Sequence, residues 1–592
     1  MKHPVYAALW LLFAAGCAQQ PVQSPTHIAA APQTPRAESR VQGHAVPVRH
    51  TPPLPKIELT EQMMFKFMLA EVALQRGQPQ IAVPALLDLA RETRDPRLAQ
   101  RATEAAWNAR MVSAALEAAG LWLQTDPEST QARQILAALL VNQSQLDAAR
   151  PHLEQWLASD PAHIGPSFLQ LAKLLSRNKD RQGVLQLMQS LAKPYSQVPE
   201  ARLTVAQAAW NAGALQTALD ESAAALELRP DWELAALFHA QALQRRSNRE
   251  ASDFLVKYLA GHPGASDARL NYARLLVAEK RYADARKEFE ALLAAHPESG
   301  EMAMAVAALA MQSGDYDRAE SLLRGVLDNP SYKDKDTPRL YLGQLAEERK
   351  RYDEAMQWYA SVGRGERYIA AQSRYAGVLA KQGKLDEARA HLQAVPEANN
   401  QQRVQLTQAE SQLLREAGRY QEAFDVLGRA LERLPNYPDL LYDHAMAAEK
   451  VERYDVLESD LRKLIEIRPD NAHAYNALGY TLADRNERLP EAKKLIESAL
   501  NLSPEDPFIM DSMGWVLYRQ GELKESLDWL QRAYLLRPDA EVAAHLGEVL
   551  WADGQEERAR QVWTEALRQH PKNEPLQSTI KRYAPLMVPA AR

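Results

Sequence analysis

Residues 505–538 read EDPFIMDSMGWVLYRQGELKESLDWLQRAYLLRP, and this stretch decides the fold. Leu517, Leu527, Leu530 and Ala533 recur at helical spacing, as the apolar seam between two packed helices requires. Gly514 is small, so the second helix can approach the first closely at that point. Gly521 stops the first helix, because glycine takes the left-handed conformation of a helix end without steric cost. Pro538 stops the second, and a new helix has to begin from Asp539. The unit is a helical hairpin that cannot bury its apolar faces alone, so it needs neighbours like itself.

Those neighbours are present on both sides. Leu478-Gly479, Ala499 and Pro504 precede the unit in register, and Leu546-Gly547, Ala566 and Pro571 follow it, against its own Met513-Gly514, Ala533 and Pro538. Upstream, the helix-stopping proline recurs at Pro127, Pro161, Pro194, Pro230, Pro263, Pro297 and Pro330, then at Pro396, Pro435 and Pro469. A beat of about 34 residues with this pattern is that of the tetratricopeptide repeat (TPR). About fifteen pairs fit between Glu61 and Pro571 at that period. The second helix carries its small residue at Ala149, Ala218, Ala285, Ala319, Ala355, Ala388, Ala423, Ala492 and Ala559. Weak units fall at Gly165 to Pro199 and Asp328 to Arg367, where extra Pro and Gly residues signal altered packing or an inserted loop. The expected fold is all-α, a TPR α-solenoid coiled as a right-handed superhelix with a concave inner face, one long domain over residues 58–573. Its length does not call for several domains, because contacts in a solenoid run only between neighbours.

The N-terminus speaks to compartment. Lys2, the apolar run Val5 to Phe13 and the small residues Ala14-Ala15-Gly16 before Cys17 form a signal peptide over residues 1–17. The run is too short to span a bilayer. Its end resembles the lipobox of bacterial lipoproteins, and Cys17 is the chain's one cysteine, as expected if its thiol is reserved for lipid. An incidental cysteine after an ordinary secretory signal is the alternative. Ala18 in place of aspartate favours, by resemblance to lipoprotein sorting rules, the outer membrane and its periplasmic face. Residues 18–57 are rich in Pro, Gln, Thr and His and are expected to form a disordered tether. Residues 574–592 are expected to hold a polar capping helix, Glu574 to Tyr583, and a frayed tail.

Composition excludes several functions. Lys and Arg number 70 against 76 Asp and Glu, a net charge of −6, and no long basic block occurs, so nucleic acid is not an expected partner. The 14 histidines are dispersed, and no HExxH, GxxxxGK[ST] or GxSxG element appears. No catalytic residue, metal ligand or cofactor is assigned. Adjacent carboxylates such as Glu347 and Glu348, or Glu556 and Glu557, are read as solvated faces.

Two surfaces remain as candidates for protein binding. The segment Glu61 to Ala70 is apolar on more than one face. Either Met64, Phe67 and Met68 cover the first repeat, or Met63, Met64, Phe65, Phe67 and Met68 form an adaptable docking end for a partner. The second candidate is the concave face, at first-helix positions Asp439, Tyr442, Met446, His473, Asn476, Tyr480, Phe508, Asp511, Trp515, Tyr518, Arg519, Glu548 and Trp551. Aromatic rings offer contact area there and Asn or Asp can bond a peptide backbone, although Trp515, Tyr518 and Trp551 also suit the core between repeats.

The lipobox, the Pro-rich tether, the many repeats and the regular run from Tyr475-Asn476-Ala477-Leu478-Gly479-Tyr480 through Met513-Gly514-Trp515 to Tyr534 resemble a family of large proteobacterial outer-membrane TPR lipoproteins. The resemblance implies an adaptor that binds and activates a periplasmic PDZ-containing serine protease of the carboxyl-terminal processing family. Its substrates would be peptidoglycan cross-link hydrolases, and a lipid anchor would hold it to the membrane. The alternative is a scaffold lipoprotein of an envelope assembly or polysaccharide export machine.

Overall fold

The computed structural model describes residues 54–397 and 399–584. Cys17, the signal peptide, residues 18–53 of the tether and the tail from 585 lie outside the described residues. Among those described, 31 α-helices and two short 3-10 turns occur and no strand. The helices make fifteen consecutive hairpins and a final single helix, Glu574–Tyr583, as the repeat count anticipates.

Contacts divide the chain into two compact units, with the boundary between Leu322 and Leu323 inside the helix Tyr316–Asp328. A single uninterrupted domain was the expectation from the repeat alone. The first unit runs from the pair Glu61–Gln75 and Pro79–Thr93 to Ser266–Ala278 and Tyr282–Ala295, followed by Gly300–Gln312. The second runs from Asp336–Glu348 and Tyr352–Ala360 to Ala540–Ala552 and Glu556–Gln569, and ends in the single helix. Within each unit most helices pack on their sequence neighbours, and Ile164–Leu175 and Arg181–Ala192 each pack on Pro199–Asn211.

In the hairpin that opened the sequence analysis, each local choice has its physical counterpart. The first helix is Pro507–Arg519; the Asp506 carboxylate accepts from the backbone N–H of Phe508 at 2.8 Å and of Ile509 at 3.2 Å, which satisfies two orphan donors of the helix start. Gly521 has φ of 87° and turns the chain into Leu523–Leu536. Leu517, Leu527, Leu530 and Ala533 are all buried between the two helices. A Cβ at Gly514 would stand 2.5 Å from Leu530 Cγ, so the close approach depends on the absence of a side chain there.

The two irregular stretches are also explained. Around Gly165 to Pro199 the helices shorten to 12 residues each and are bracketed by 3-10 turns at Pro161–His163 and Lys193–Tyr195. Around Asp328 to Arg367 the second helix, Tyr352–Ala360, keeps only 9 residues, and a loop follows in which Gly363 N–H donates to Asp336 at 3.0 Å. Here Glu347 departs from the expected solvated face: it is buried, Tyr359 donates to it at 2.7 Å and Lys381 at 2.6 Å. Burial, then the neighbouring Glu347 carboxylate, pushes the Tyr359 hydroxyl's pKa up, so it stays a donor. Glu348, Glu556 and Glu557 are exposed.

Candidate functional site

In the second unit, successive first helices touch one another as well as their own partners: Tyr368–Lys381 meets Asn400–Glu416, Ala472–Asp484 meets Pro507–Arg519, and Ala540–Ala552 meets Glu574–Tyr583. Side chains three and four apart on these helices therefore line one continuous face. It carries the aromatic residues expected at the concave positions. Tyr442, Asn476, Tyr480, Tyr518, Arg519 and Trp551 are half-buried on it, and Asp439, His473 and Phe508 are exposed.

Two of the sequence-predicted contact residues are placed differently. Asp511 is 7% and Trp515 5% exposed, because His545 from the next repeat closes over both. His545 Nδ1 donates to Asp511 Oδ2 at 2.9 Å, and its ring stacks on Trp515 with centroids 4.3 Å apart. Glu548 is likewise buried, accepting from the Tyr583 hydroxyl of the capping helix at 3.0 Å. These residues shape the face from beneath. Burial alone would lower the His545 pKa, but the bonded Asp511 carboxylate, with Glu548 and Asp484 behind it, outweighs burial and holds it above its ordinary value.

Sequence reasoning missed His545. The available signal is spacing: Asp511 and His545 lie 34 residues apart, so they hold nearly corresponding places in consecutive repeats. The same rule recurs in Arg488 to Glu458, 30 apart, and Lys381 to Glu347, 34 apart. At Glu458 the hydrogen bond from Arg488 is the largest influence, and the carboxyl falls to about 2.

Further along this face, Gln408 Nε2 donates to Asp443 at 2.7 Å, while burial raises the Asp443 pKa. Asn476 Oδ1 and Trp515 Nε1 are shielded from solvent and have no hydrogen-bond partner among the described residues.

The other candidate surface lies at the start of the first unit. The helix Glu61–Gln75 buries only Ala70 and Ala73. Phe65 is 67% and Met68 60% exposed; Met64, Phe67, Leu69 and Val72 are exposed too, and Met63 is half-buried. Roughly half of each of Met64, Phe67 and Met68 is thus open to solvent, more than a side chain committed to covering the first repeat would show. The contact with Pro79–Thr93 is made through Ala70, Ala73 and the partly buried Leu74, which leaves most of the other long apolar side chains outside. Leu54, Ile57 and Leu59 just before the helix, and Ile81 just after it, extend the exposed apolar surface.

Among the described residues no three His, Cys, Asp or Glu side chains lie where they could hold a metal ion. None of the described helices is long and apolar enough to cross a membrane.

Comparison with known proteins agrees with this architecture. Family models described as tetratricopeptide repeat match residues 242–309, 307–369 and 512–574. The chain is 33% identical over 496 residues to the TPR repeat-containing protein PA4667 of Pseudomonas aeruginosa, covering 83% of this chain and 82% of that protein. Among solved structures, a thermophilic TPR protein of Thermus thermophilus aligns at 24% identity over 30% of this chain and 96% of its own, with a TM-score of 0.28. A tetratricopeptide repeat protein of Parabacteroides merdae aligns at 15% identity over 48% of this chain and 97% of its own, with a TM-score of 0.32. Helical hairpins at the repeat period, the matched repeat models and a relative aligned along most of both chains lead to one assignment: this chain belongs to the family of tetratricopeptide-repeat proteins.

Proposed function

We propose that the chain is a non-catalytic adaptor lipoprotein of the outer membrane, similar to LbcA, the lipoprotein binding partner of the periplasmic carboxyl-terminal processing protease CtpA. In this reading it binds and activates such a protease and presents peptidoglycan cross-link hydrolases to it. The observation that carries the reading is the Met- and Phe-rich surface of Glu61–Gln75, open to solvent on the first described helix. Unbranched Met side chains and aromatic rings give such a surface both area and adaptability toward a partner protein. The first-helix face of the second unit then serves to hold the substrate.

No new chemistry is required of the adaptor. Holding protease and substrate on one scaffold raises their mutual effective concentration to roughly millimolar. Activation in addition needs tighter binding to the active protease conformation than to the inactive one, since equal affinity shifts no equilibrium. Acylation at Cys17 is part of the proposal, as is the placement it gives: each buried methylene contributes about 0.8 kcal/mol, so several acyl chains on one residue anchor firmly.

Affinity capture of the lipidated protein from membranes, read by mass spectrometry, tests this against the alternative of a scaffold in an envelope assembly or polysaccharide export machine. Recovery of a PDZ-containing carboxyl-terminal processing protease supports the adaptor. Recovery of export or insertion components without any protease supports the scaffold.

A further inference from the structure

The irregular stretch between Gly165 and Pro199 leaves an opening that a regular repeat would close. Its helices Ile164–Leu175 and Arg181–Ala192 barely meet each other, and each packs instead on Pro199–Asn211. Where they part, a recess of about 400 Å³ forms between the start of Arg181–Ala192 and the C-terminal halves of Ile164–Leu175, Pro199–Asn211 and Glu233–Gln244. That volume lies within the usual range of ligand pockets, about 300–1,000 Å³. Leu175, Val184, Met188 and Ala208 are its buried walls, joined by the half-buried Trp210 and Phe238, which meet edge to face at 6.2 Å. Polar side chains stand at the rim, where Ser176, Arg181, Asn211 and Gln241 are exposed. Thr204 is the one polar residue among the buried walls, and its hydroxyl already donates to the Ala201 carbonyl at 2.9 Å.

The charge around this recess is one-sided. Residues 161–198 carry five cations, Lys173, Arg177, Lys179, Arg181 and Lys193, against one acid, Asp180, in a chain of net charge −6. None of the five forms an ion pair among the described residues, and Asp180 is engaged in accepting from the Gly183 N–H at 2.9 Å. The turns of the neighbouring hairpins, 143–145 and 212–214, hold no charge that could offset them. Asp147, Asp220 and Glu250 beyond those turns are bonded to Arg150, Gln216 and Arg246. Arg245, likewise without an ion pair, lies over the Trp210 ring at 5.8 Å and brings a further charge to the same wall. Elsewhere the arginines of such turns are matched, Arg281 by Asp284, Arg351 by Glu354 and Arg453 by Asp455. The charged turn is also held in place, since the buried Asn178 donates to the Val141 carbonyl at 2.8 Å. Fixed cations without an internal partner, at the mouth of an apolar recess, complement a ligand with an anionic head and a hydrocarbon body.

We propose that this recess binds an anionic phospholipid. The phosphate sits between Arg181 and Arg245, with Arg177 and Lys179 beside it, and part of an acyl chain enters between Met188 and Phe238. A polypeptide segment fits less well, because peptide N–H and C=O groups drawn between these walls would lose their partners, whereas a hydrocarbon has none to lose. A free phosphate would leave the apolar walls unused. The proposal goes beyond the adaptor reading and takes from it only the nearness of a lipid surface. The 36 residues between Cys17 and Leu54 let an acylated Cys17 keep the first unit's start within about 130 Å of the bilayer. A second contact of this kind orients the first unit on the membrane, which a tether alone does not do.

The test is calorimetric titration of the full chain with short-chain phosphatidylglycerol below its micelle concentration. Beside it are run phosphatidylcholine with the same chains, inorganic phosphate, and a peptide in which alanine alternates with glutamate. Phosphatidylglycerol is expected to bind at least tenfold more tightly than each of the other three, and more weakly as salt rises. The double variant Arg181→Gln, Arg245→Gln is expected to lose that preference with a melting temperature close to the parent's, since both side chains are exposed. Ala172→Leu puts bulk into the recess from a half-buried wall position and is expected to weaken phosphatidylglycerol at least tenfold. The control double variant Lys193→Gln, Lys257→Gln removes as much charge from exposed positions outside the recess and is expected to bind as the parent does. Equal binding of the two lipids, tighter binding of phosphate or of the acidic peptide, equal effects of the two double variants, or full binding by Ala172→Leu would overturn the site. Stimulation of a protease without any lipid preference would remove this site and leave the adaptor reading standing. Selective binding of phosphatidylglycerol with no effect on a protease would do the reverse.

Discussion

His545 Nδ1 donates to Asp511 Oδ2 at 2.9 Å, so one buried ionic hydrogen bond joins two consecutive repeats across their first helices. The pKa of His545 is raised in the folded chain, so the bond's contribution is fully present below the ordinary histidine value and is lost as pH rises through the folded value. His545→Gln is therefore expected to cost about 1.5–3 kcal/mol at pH 5.5, the range for hydrogen bonds to charged groups, and distinctly less at pH 9. Urea denaturation of parent and variant at the two pH values checks this. A difference that grew with pH would contradict the assignment.

Glycine substitutions separate a packing role from a mere propensity effect. Gly514→Ala places a methyl against Leu530 and is expected to destabilise by about 1–3 kcal/mol, the cost of overpacking. Gly377, inside the helix Tyr368–Lys381, has nothing within 4 Å of a Cβ, so Gly377→Ala is expected to stabilise by about 0.5–1 kcal/mol. Opposite shifts of the two melting temperatures are the outcome to look for.

The contrast between those glycines shows how far the sequence could be read. The hairpins were legible because Leu517, Leu527, Leu530 and Ala533 obey helical spacing and because proline stops recur. Six turns between paired helices were less visible: Arg110, Ser144, Lys280, Lys350, Glu452 and Asn486 adopt positive φ where other repeats place glycine. There the fixed length of the hairpin overrides local preference. Trp515 and Asp511 occupy positions that belong equally to a groove or a core, and what buries them is His545, one repeat away. Long-range partners of this kind are set by packing between units, so a single unit's pattern does not reveal them. For Met64, Phe67 and Met68 the pattern left two readings open, and the exposure of these side chains favours the docking one.

The N-terminal helix gives the third prediction. Phe65→Ser combined with Met68→Ser alters side chains that are mostly in solvent, so the melting temperature is expected to stay within about 1 °C of the parent, as for surface changes far from core features. Co-purification of the carboxyl-terminal processing protease is expected to fall at least tenfold. A variant that unfolds would show that these residues stabilise the first repeat after all, and unchanged recovery of the protease would place the docking surface elsewhere.

The adaptor account is tested most directly by the rate at which a purified carboxyl-terminal processing protease cleaves a purified peptidoglycan cross-link hydrolase, measured with and without the full chain. The account predicts that cleavage speeds up at least tenfold when the chain is added, that the chain alone cleaves nothing, and that the Phe65→Ser, Met68→Ser variant fails to stimulate. An unchanged rate with every cognate pair of protease and hydrolase would contradict it.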